Sequence, residues 1–183
     1  PVTVTGIKQP VPVSFDQQVM PILTKASCNS GGCHGKAEGQ NGFKLSVFGF
    51  DPAADHDALT KQARGRRVRV VTPEQSLVLE KATSQLPHGG GQKIDLDSLP
   101  YRRMLRWIHE GAQYTEDADK AVVAIEVEPQ QQVLSANGTQ QLRVTAVNAL
   151  GEKFCVSAES EFESNASALA DVNHTGRVTA SDL

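Results

Sequence analysis

Apolar residues recur at helical spacing through the first part of the chain. In SFDQQVMPILTKAS, Phe15 and Val19 begin an apolar face directly after Ser14, a residue type that caps helix N-termini. Pro21 predicts that this helix is kinked or divided. Two shorter stretches, PAADHDALTKQA and PEQSLVLEKAT, also predict helices. These patterns predict a mainly α unit over residues 1–115.

The strongest helical pattern is DSLPYRRMLRWIHEGA. Asp97 or Ser98 suits its N-cap, Pro100 suits its first turn and Gly111 suits its end. Three arginines fall on the polar side, and the remaining positions form one apolar stripe that faces a core. This stripe consists of Tyr101, Met104, Leu105 and Ile108.

After Tyr114 the pattern changes to period two, which is typical of strands. Residues 116–121 form a charged linker, and AIEVEP, QQLRVTAVNA, KFCVSAE and GRVTA then predict strands. Asn137-Gly138 supplies a turn. Residues 122–183 are therefore expected to form an all-β immunoglobulin-like sandwich. At most five strands are predicted where about seven are usual, so the sandwich is expected to be incomplete, as in a fragment of a longer chain.

Charge changes sign at the same boundary. Residues 1–115 carry 14 Lys and Arg against 10 Asp and Glu, whereas residues 116–183 carry 4 against 11. The basic part has no interleaved aromatic residues, so nucleic-acid binding is not expected. No run approaches the roughly 18 apolar residues of a membrane helix, and the first residues lack the features of a signal peptide.

The candidate chemistry lies in ASCNSGGCHGK, where His34 directly follows Cys33 and Cys28 stands five positions earlier. Covalent haem c requires two thiols that reach the porphyrin vinyl groups and a following histidine that binds the iron. The usual motif has two residues between the cysteines, and this chain has four, Asn29–Gly32. Glycines in that segment allow the extra residues to bulge away from a porphyrin.

Two other interpretations remain open for the same cluster. A structural zinc site would use Cys28, Cys33, His34 and a further ligand such as His88, but no second cysteine pair is present. A redox disulfide between Cys28 and Cys33 lacks the usual two-residue spacing. Cys155 lies in a predicted strand and is expected to be a buried free thiol.

The chain from Val13 to Pro52, together with LPHGGGQKI and YRRMLRWIHEGA, resembles the planctomycete-type cytochrome c domain. That family carries the same widened motif, Cys-x4-Cys-His, at the start of large secreted multidomain proteins. The resemblance implies one haem c bound covalently through Cys28 and Cys33, with His34 as proximal ligand, in a periplasmic or other extracytoplasmic location. Residues 122–183 are similar to bacterial immunoglobulin-like domains of the Big_2 type.

The second axial ligand has two candidates. Related domains usually place a methionine before the Pro-rich and Gly-rich turn, whereas this chain has Leu86, which cannot bind iron. His88 lies in that turn and is the favoured distal ligand. Met104 is the alternative, although its place in the apolar stripe favours packing, and an open sixth position is a third possibility. His56, between two aspartates, is expected to be a solvated helix residue.

Several residues are expected to line the haem. Trp107 and Tyr101 offer flat partners for a porphyrin edge, with ordinary core packing as an equal alternative. Phe43 belongs to an apolar run that is assigned to the pocket wall and core. The run consists of Phe43, Leu45, Val47, Phe48 and Phe50. Arginines in the segment 64–69 offer partners for haem propionates, although a solvated basic face is favoured for most of them.

These observations favour a mono-haem electron-transfer module that exchanges single electrons with a redox partner protein or a downstream domain of a longer chain. Catalysis by the module itself is not required. The alternatives are a haem sensor or peroxidase-like domain with an open or labile sixth position, and a structural or adhesion module with a zinc site.

Overall fold

The computed structural model describes residues 11–116 and 118–182. The chain divides into two compact units, Pro1–Thr115 and Glu116–Leu183. This boundary follows the change of periodicity at Tyr114 directly. Each unit is described by itself below.

The predicted fold class, a mainly α cytochrome c-like domain followed by an immunoglobulin-like sandwich, is wrong. The described residues contain four short α-helices and two small antiparallel sheets of three strands each. The helices span 6, 9, 6 and 11 residues, so most of the first unit is turns and loops. The physical reason is that a residue with positive φ follows the end of each helix within three positions, so that no helix continues further.

The first unit begins with a π-helical turn, Phe15–Val19, which continues directly into the first helix. Ser14 caps this turn as predicted, because its side chain accepts a hydrogen bond from the Gln17 amide. Short 3₁₀ turns at Val47–Gly49, Gln62–Gly65 and Pro73–Gln75 lie between the later helices. The four helices are α1 (Met20–Lys25), α2 (Pro52–Thr60), α3 (Leu77–Ala82) and α4 (Leu99–His109).

Helix α4 starts as its sequence predicts, and Tyr101, Met104 and Ile108 of the predicted stripe are buried, whereas Leu105 is only half-buried. Ser98, rather than Asp97, caps it by accepting a hydrogen bond from the Tyr101 amide. Trp107 is buried as well, in one core cluster with residues of the π-helical turn and α1. The chain leaves the helix at Gly111, whose φ of 96° is a conformation that glycine adopts without strain.

Part of the apolar run near residue 45 lies at the surface instead of in the core. Leu45 is buried, but Phe48 is 70% exposed and Phe50 is 91% exposed. The prediction that these two aromatic side chains belong to the pocket wall is therefore wrong. The reason is the tight turn at Val47–Gly49, where Phe48 has a φ of 53° and breaks any regular alternation.

The second unit contains two separate three-stranded sheets. Its strands are β1 (Val122–Glu128), β2 (Thr139–Gln141), β3 (Arg143–Asn148), β4 (Lys153–Cys155), β5 (Ala170–Val172) and β6 (Arg177–Ala180). One sheet has the order β1–β3–β4 and the other has the order β2–β6–β5, with all pairs antiparallel. Every residue of β1 is exposed, so this strand lacks the buried inner face that a packed sandwich requires.

Two details of the second unit differ from the sequence prediction. Strand β5 was not predicted, because its residues Ala170–Val172 carry little β-branched or aromatic character. Cys155 is exposed rather than buried. A hydrogen bond with the Ser157 hydroxyl lowers the pKa of the Cys155 thiol below its usual value.

Within the described ranges, none of the helices has the length and apolar character needed to cross a bilayer.

Candidate functional site

The segment between Cys28 and His34 folds into a compact loop after α1. The amide of Cys28 donates to the Leu23 carbonyl, and the amide of His34 donates back to the Cys28 carbonyl at 3.0 Å. A further bond from the Cys33 amide to the Ser30 carbonyl closes the turn inside the loop. The four intervening residues therefore bring the second cysteine and the histidine back beside the first.

The glycine that this loop requires is Gly35, which was not singled out in the sequence. A Cβ atom at Gly35 would overlap the Asn29 carbonyl oxygen and would lie 2.8 Å from that of Ser30. A Cβ at Gly31 or Gly32 would meet nothing within 4 Å, and neither residue has a positive φ. The protein backbone therefore needs glycine directly after the histidine, where the chain passes close beneath the loop.

We expect the substitution Gly35→Ala to destabilise the first unit by about 1–3 kcal/mol, because backbone atoms rather than a flexible side chain must move. The matched control is Gly31→Ala, which we expect to change the stability by less than about 0.5 kcal/mol. Denaturant unfolding followed by the fluorescence of Trp107, the single tryptophan, measures both. Equal stability of the two variants would contradict the close approach of the chain at Gly35.

His34 is held at two places by Phe43. Its Nδ1 atom lies 3.0 Å from the Phe43 carbonyl oxygen, and the two ring centroids are 4.5 Å apart. Because a carbonyl only accepts, Nδ1 carries the proton and Nε2 keeps its lone pair. Burial lowers the pKa of the His34 imidazole, with smaller contributions from other groups. His34 is therefore a neutral imidazole with Nε2 available to bind a metal.

His88 has the same internal arrangement. Its Nδ1 atom donates to the Gly91 carbonyl oxygen at 2.8 Å, so Nε2 is the ring nitrogen that remains to bind a metal. The amide of Gly91 donates back to the His88 carbonyl, and the turn is compact because Gly91 has a φ of 70°. Bonds from the Lys93 and Ile94 amides to the Ala82 carbonyl fix this loop to the end of α3.

The imidazole rings of His34 and His88 are neighbours with nearly parallel planes. Their ring centroids are 6.3 Å apart and their planes differ by 9°. Metal–imidazole bonds of about 2 Å place the centroids of two rings on opposite sides of one metal about 6 Å apart. The observed separation meets this requirement. A sequence separation of 54 positions would not by itself suggest such a pair.

The histidine pair lies at two adjoining cavities of 260 Å³ and 380 Å³. Cys28, His34 and His88 line both cavities, and Cys33 lines the larger one. The smaller cavity has an apolar interior, formed by Leu23, Phe43, Val78, Ala82, Ile94 and Met104. The four residues of the predicted attachment site thus surround one space, which continues into an apolar interior.

Both cysteines of the loop are free thiols. Burial is the main cause that raises the pKa of Cys28, to about 11, with Lys93 acting in the opposite direction. Such a thiol is protonated at neutral pH, which is unlike the low-pKa thiolate of a redox-active disulfide pair. The protonated state of Cys28 gives no support to the disulfide interpretation.

Among the described residues, no group of three or more His, Cys, Asp and Glu side chains is arranged to hold a metal ion. A structural zinc site needs four such ligands. Haem iron needs only axial ligands from the protein, because the porphyrin supplies the other four. A pair of imidazoles beside two cysteines, at a partly apolar cavity, is compatible with haem.

The lining of the cavities is basic. Arg66, Arg67, Lys81 and Lys93 contribute to it, and it includes no carboxylate among the residues that the structure describes. Only the arginines were noted in the sequence, where they stand in a run of like residues. The sequence did not indicate that Lys81 and Lys93 line the cavity, because single lysines on a helix or after a glycine turn are common at surfaces.

The remaining predicted site residues fall into two groups. Phe43 and Met104 lie in the lining of the smaller cavity. Trp107 and Tyr101 are buried in the hydrophobic core and do not belong to either lining as described. Trp107 instead packs on Phe15 at 5.2 Å and donates its indole N–H to the Gln113 carbonyl.

His56 differs from its prediction as a solvated residue. Its side chain is 12% exposed and packs against the rings of Phe15, Trp107 and Tyr114. Its Nε2 atom lies 2.7 Å from the Ala112 carbonyl oxygen. The flanking aspartates suggested solvent, but Asp55 is itself buried, and only Asp57 on the other side is substantially exposed. His56 is therefore a structural residue that joins α2 to the chain after α4.

Comparison with known proteins identifies no relatives of this chain. No protein-family model, no curated protein and no solved structure matches the chain.

Proposed function

We propose that the first unit is a mono-haem c-type electron-transfer module. Cys28 and Cys33 would bind the haem through thioether bonds, and His34 and His88 would be its axial ligands. The observation that supports this proposal most is the pair of nearly parallel imidazoles, 6.3 Å apart, each held through Nδ1 by a backbone carbonyl. When bound, haem c supplies a one-electron couple between ferric and ferrous iron.

The chain's own residues would perform two tasks for such a group. Phe43 and Gly91 fix the orientation of the two imidazoles, so that neither has to reorient when a metal binds. The apolar lining, which includes Leu23, Ile94 and Met104, limits the access of water from one side. Few groups would then move on electron exchange, a condition that favours rapid transfer.

The second, larger cavity is the place that we propose for contact with an electron partner. Three residues of its lining, Gly32, Gly89 and Gly90, are glycines that present no side chains. A redox partner protein, or a further domain of a longer chain, would approach there. Covalent attachment prevents loss of haem outside the cytoplasm, so we place the module in the periplasm or another extracytoplasmic compartment. The resemblance to planctomycete-type cytochrome c domains supports the same assignment.

The test is the spin state of the purified, haem-loaded protein. We expect low-spin six-coordinate iron in visible and electron paramagnetic resonance spectra, and no uptake of carbon monoxide by the reduced protein. High-spin iron that takes up carbon monoxide readily would contradict the two-histidine assignment and would support the sensor or peroxidase-like alternative.

A further inference from the structure

Arg67 is a buried cation beside the histidine site. Only 3% of its surface is exposed, although arginine is among the residues that are rarely buried without a partner. Its guanidinium donates to the carbonyl oxygens of Ala58 and Gly42, at 2.8 and 2.7 Å, and more weakly to Gln62. Within the described ranges it has no carboxylate partner. Burial lowers the pKa of the Arg67 guanidinium, with nearby Arg66 as the second cause.

Arg67 is connected to His34 by two successive contacts. Its guanidinium carbon lies 4.5 Å from the centroid of the Phe43 ring, and that ring lies 4.5 Å from the His34 ring. The Gly42 carbonyl that Arg67 binds belongs to the peptide bond before Phe43. Arg67 therefore fixes both the backbone and the ring of the residue that orients His34. Its own carbonyl accepts from the Val78 amide of α3.

The charge of Arg67 is close enough to act on the iron site. Two 4.5 Å contacts separate the guanidinium from the His34 ring. At that range a unit charge changes an ionic equilibrium by about tenfold for an effective dielectric constant of about 20. Because Arg66, Lys81 and Lys93 also line the cavity and no carboxylate does, in the described part of the chain, no protein carboxylate of that lining cancels the field of Arg67.

We propose that Arg67 is a positioning residue for His34 and that its buried charge raises the reduction potential of the haem site. This inference rests on the proposed function. Reduction adds one electron, taken from a donor protein or from the mediator in the measurement, and makes the iron less positive by one unit. A neighbouring uncompensated cation favours the less positive state.

The test is a potentiometric titration of the haem-loaded full chain with Arg67→Met and Arg67→Lys. We expect Arg67→Met to lower the potential by about 59 mV, which is a tenfold change in the equilibrium constant for one electron. Arg67→Lys keeps the charge, so its potential should stay close to that of the original protein. Its paramagnetic resonance spectrum should still change, because lysine lacks the planar fork that holds Gly42 and the Phe43 ring.

The matched control is Arg69→Met, which removes an exposed cation of the same segment and should leave both readouts unchanged. If Arg67→Met does not fold, Arg67→Gln replaces it, since glutamine can still donate to the carbonyls. A folded, haem-loaded neutral variant with the original potential and spectrum would overturn the inference. A colourless original protein would instead contradict the proposed function, so the two failures are distinguishable.

Discussion

Replacing both Cys28 and Cys33 with serine should abolish the covalent retention of haem completely. Acid-acetone extraction should strip all colour from this double variant and none from the original protein. The physical reason is that serine cannot form the thioether bonds, while the loop itself should keep its fold. Its turns depend on backbone hydrogen bonds among residues 28–35 and not on the two thiols.

The control for this prediction is Cys155→Ser, which removes the third cysteine. Cys155 is exposed in the other unit, and its hydrogen bond with Ser157 is local. We expect this variant to retain haem like the original protein. Each single variant, Cys28→Ser or Cys33→Ser, should keep one thioether and still resist extraction. Full retention of haem in the double variant would show that the cysteines are not the attachment points.

Replacing His88 with alanine should convert the iron almost completely from low-spin to high-spin. The reason is that His88, whose ring centroid lies 6.3 Å from that of His34, is the proposed second axial ligand, and alanine would leave that position open. The reduced variant should then bind carbon monoxide, which the original protein should not. Visible and paramagnetic resonance spectra measure the spin state. His88 is partly exposed at a turn, so the fold should tolerate its loss.

Two controls make this prediction specific. Free imidazole added to the His88→Ala variant should restore the low-spin spectrum, because it supplies the missing ligand. Met104→Leu should leave the spectrum low-spin, since leucine replaces methionine in the core without a large change of volume. A low-spin spectrum that survives in His88→Ala but is lost in Met104→Leu would assign the ligand to Met104, which lies in the same cavity lining.

Local structure was the part that the sequence predicted well. The cap at Ser14 and the limits and buried stripe of α4 follow from capping chemistry and from strict 3.6-residue periodicity. Strands β1, β3, β4 and β6 likewise follow from period-two alternation. These signals act over a few residues, so they determine local structure independently of the tertiary arrangement.

The fold class failed because it depends on long-range packing. Nothing in PAADHDALTKQA shows that the helix ends at Thr60 and that Ala63 and Arg64 then adopt positive φ. The exposure of Phe48 and Phe50, and the burial of His56, have the same origin. Each depends on which side of a turn faces the core, and composition does not encode that.

For the candidate site, the sequence supplied the attachment residues and the histidine at position 88 through their chemistry. It did not supply the residues that hold them. Phe43 was assigned only to a pocket wall, although its carbonyl and ring both orient His34. Arg67 was one member of a basic run, and its burial distinguishes it only in three dimensions. Supporting residues of this kind act through backbone carbonyls, which have no sequence signature.

The most direct test of the central claim is a pyridine haemochrome spectrum combined with the intact mass of the protein, purified from cells that carry out cytochrome c maturation. A haem joined through both sulfurs should give the spectrum of a saturated, vinyl-free c-type haem. The mass should exceed that of the polypeptide by one haem. A colourless protein whose mass equals that of the bare polypeptide would contradict the account.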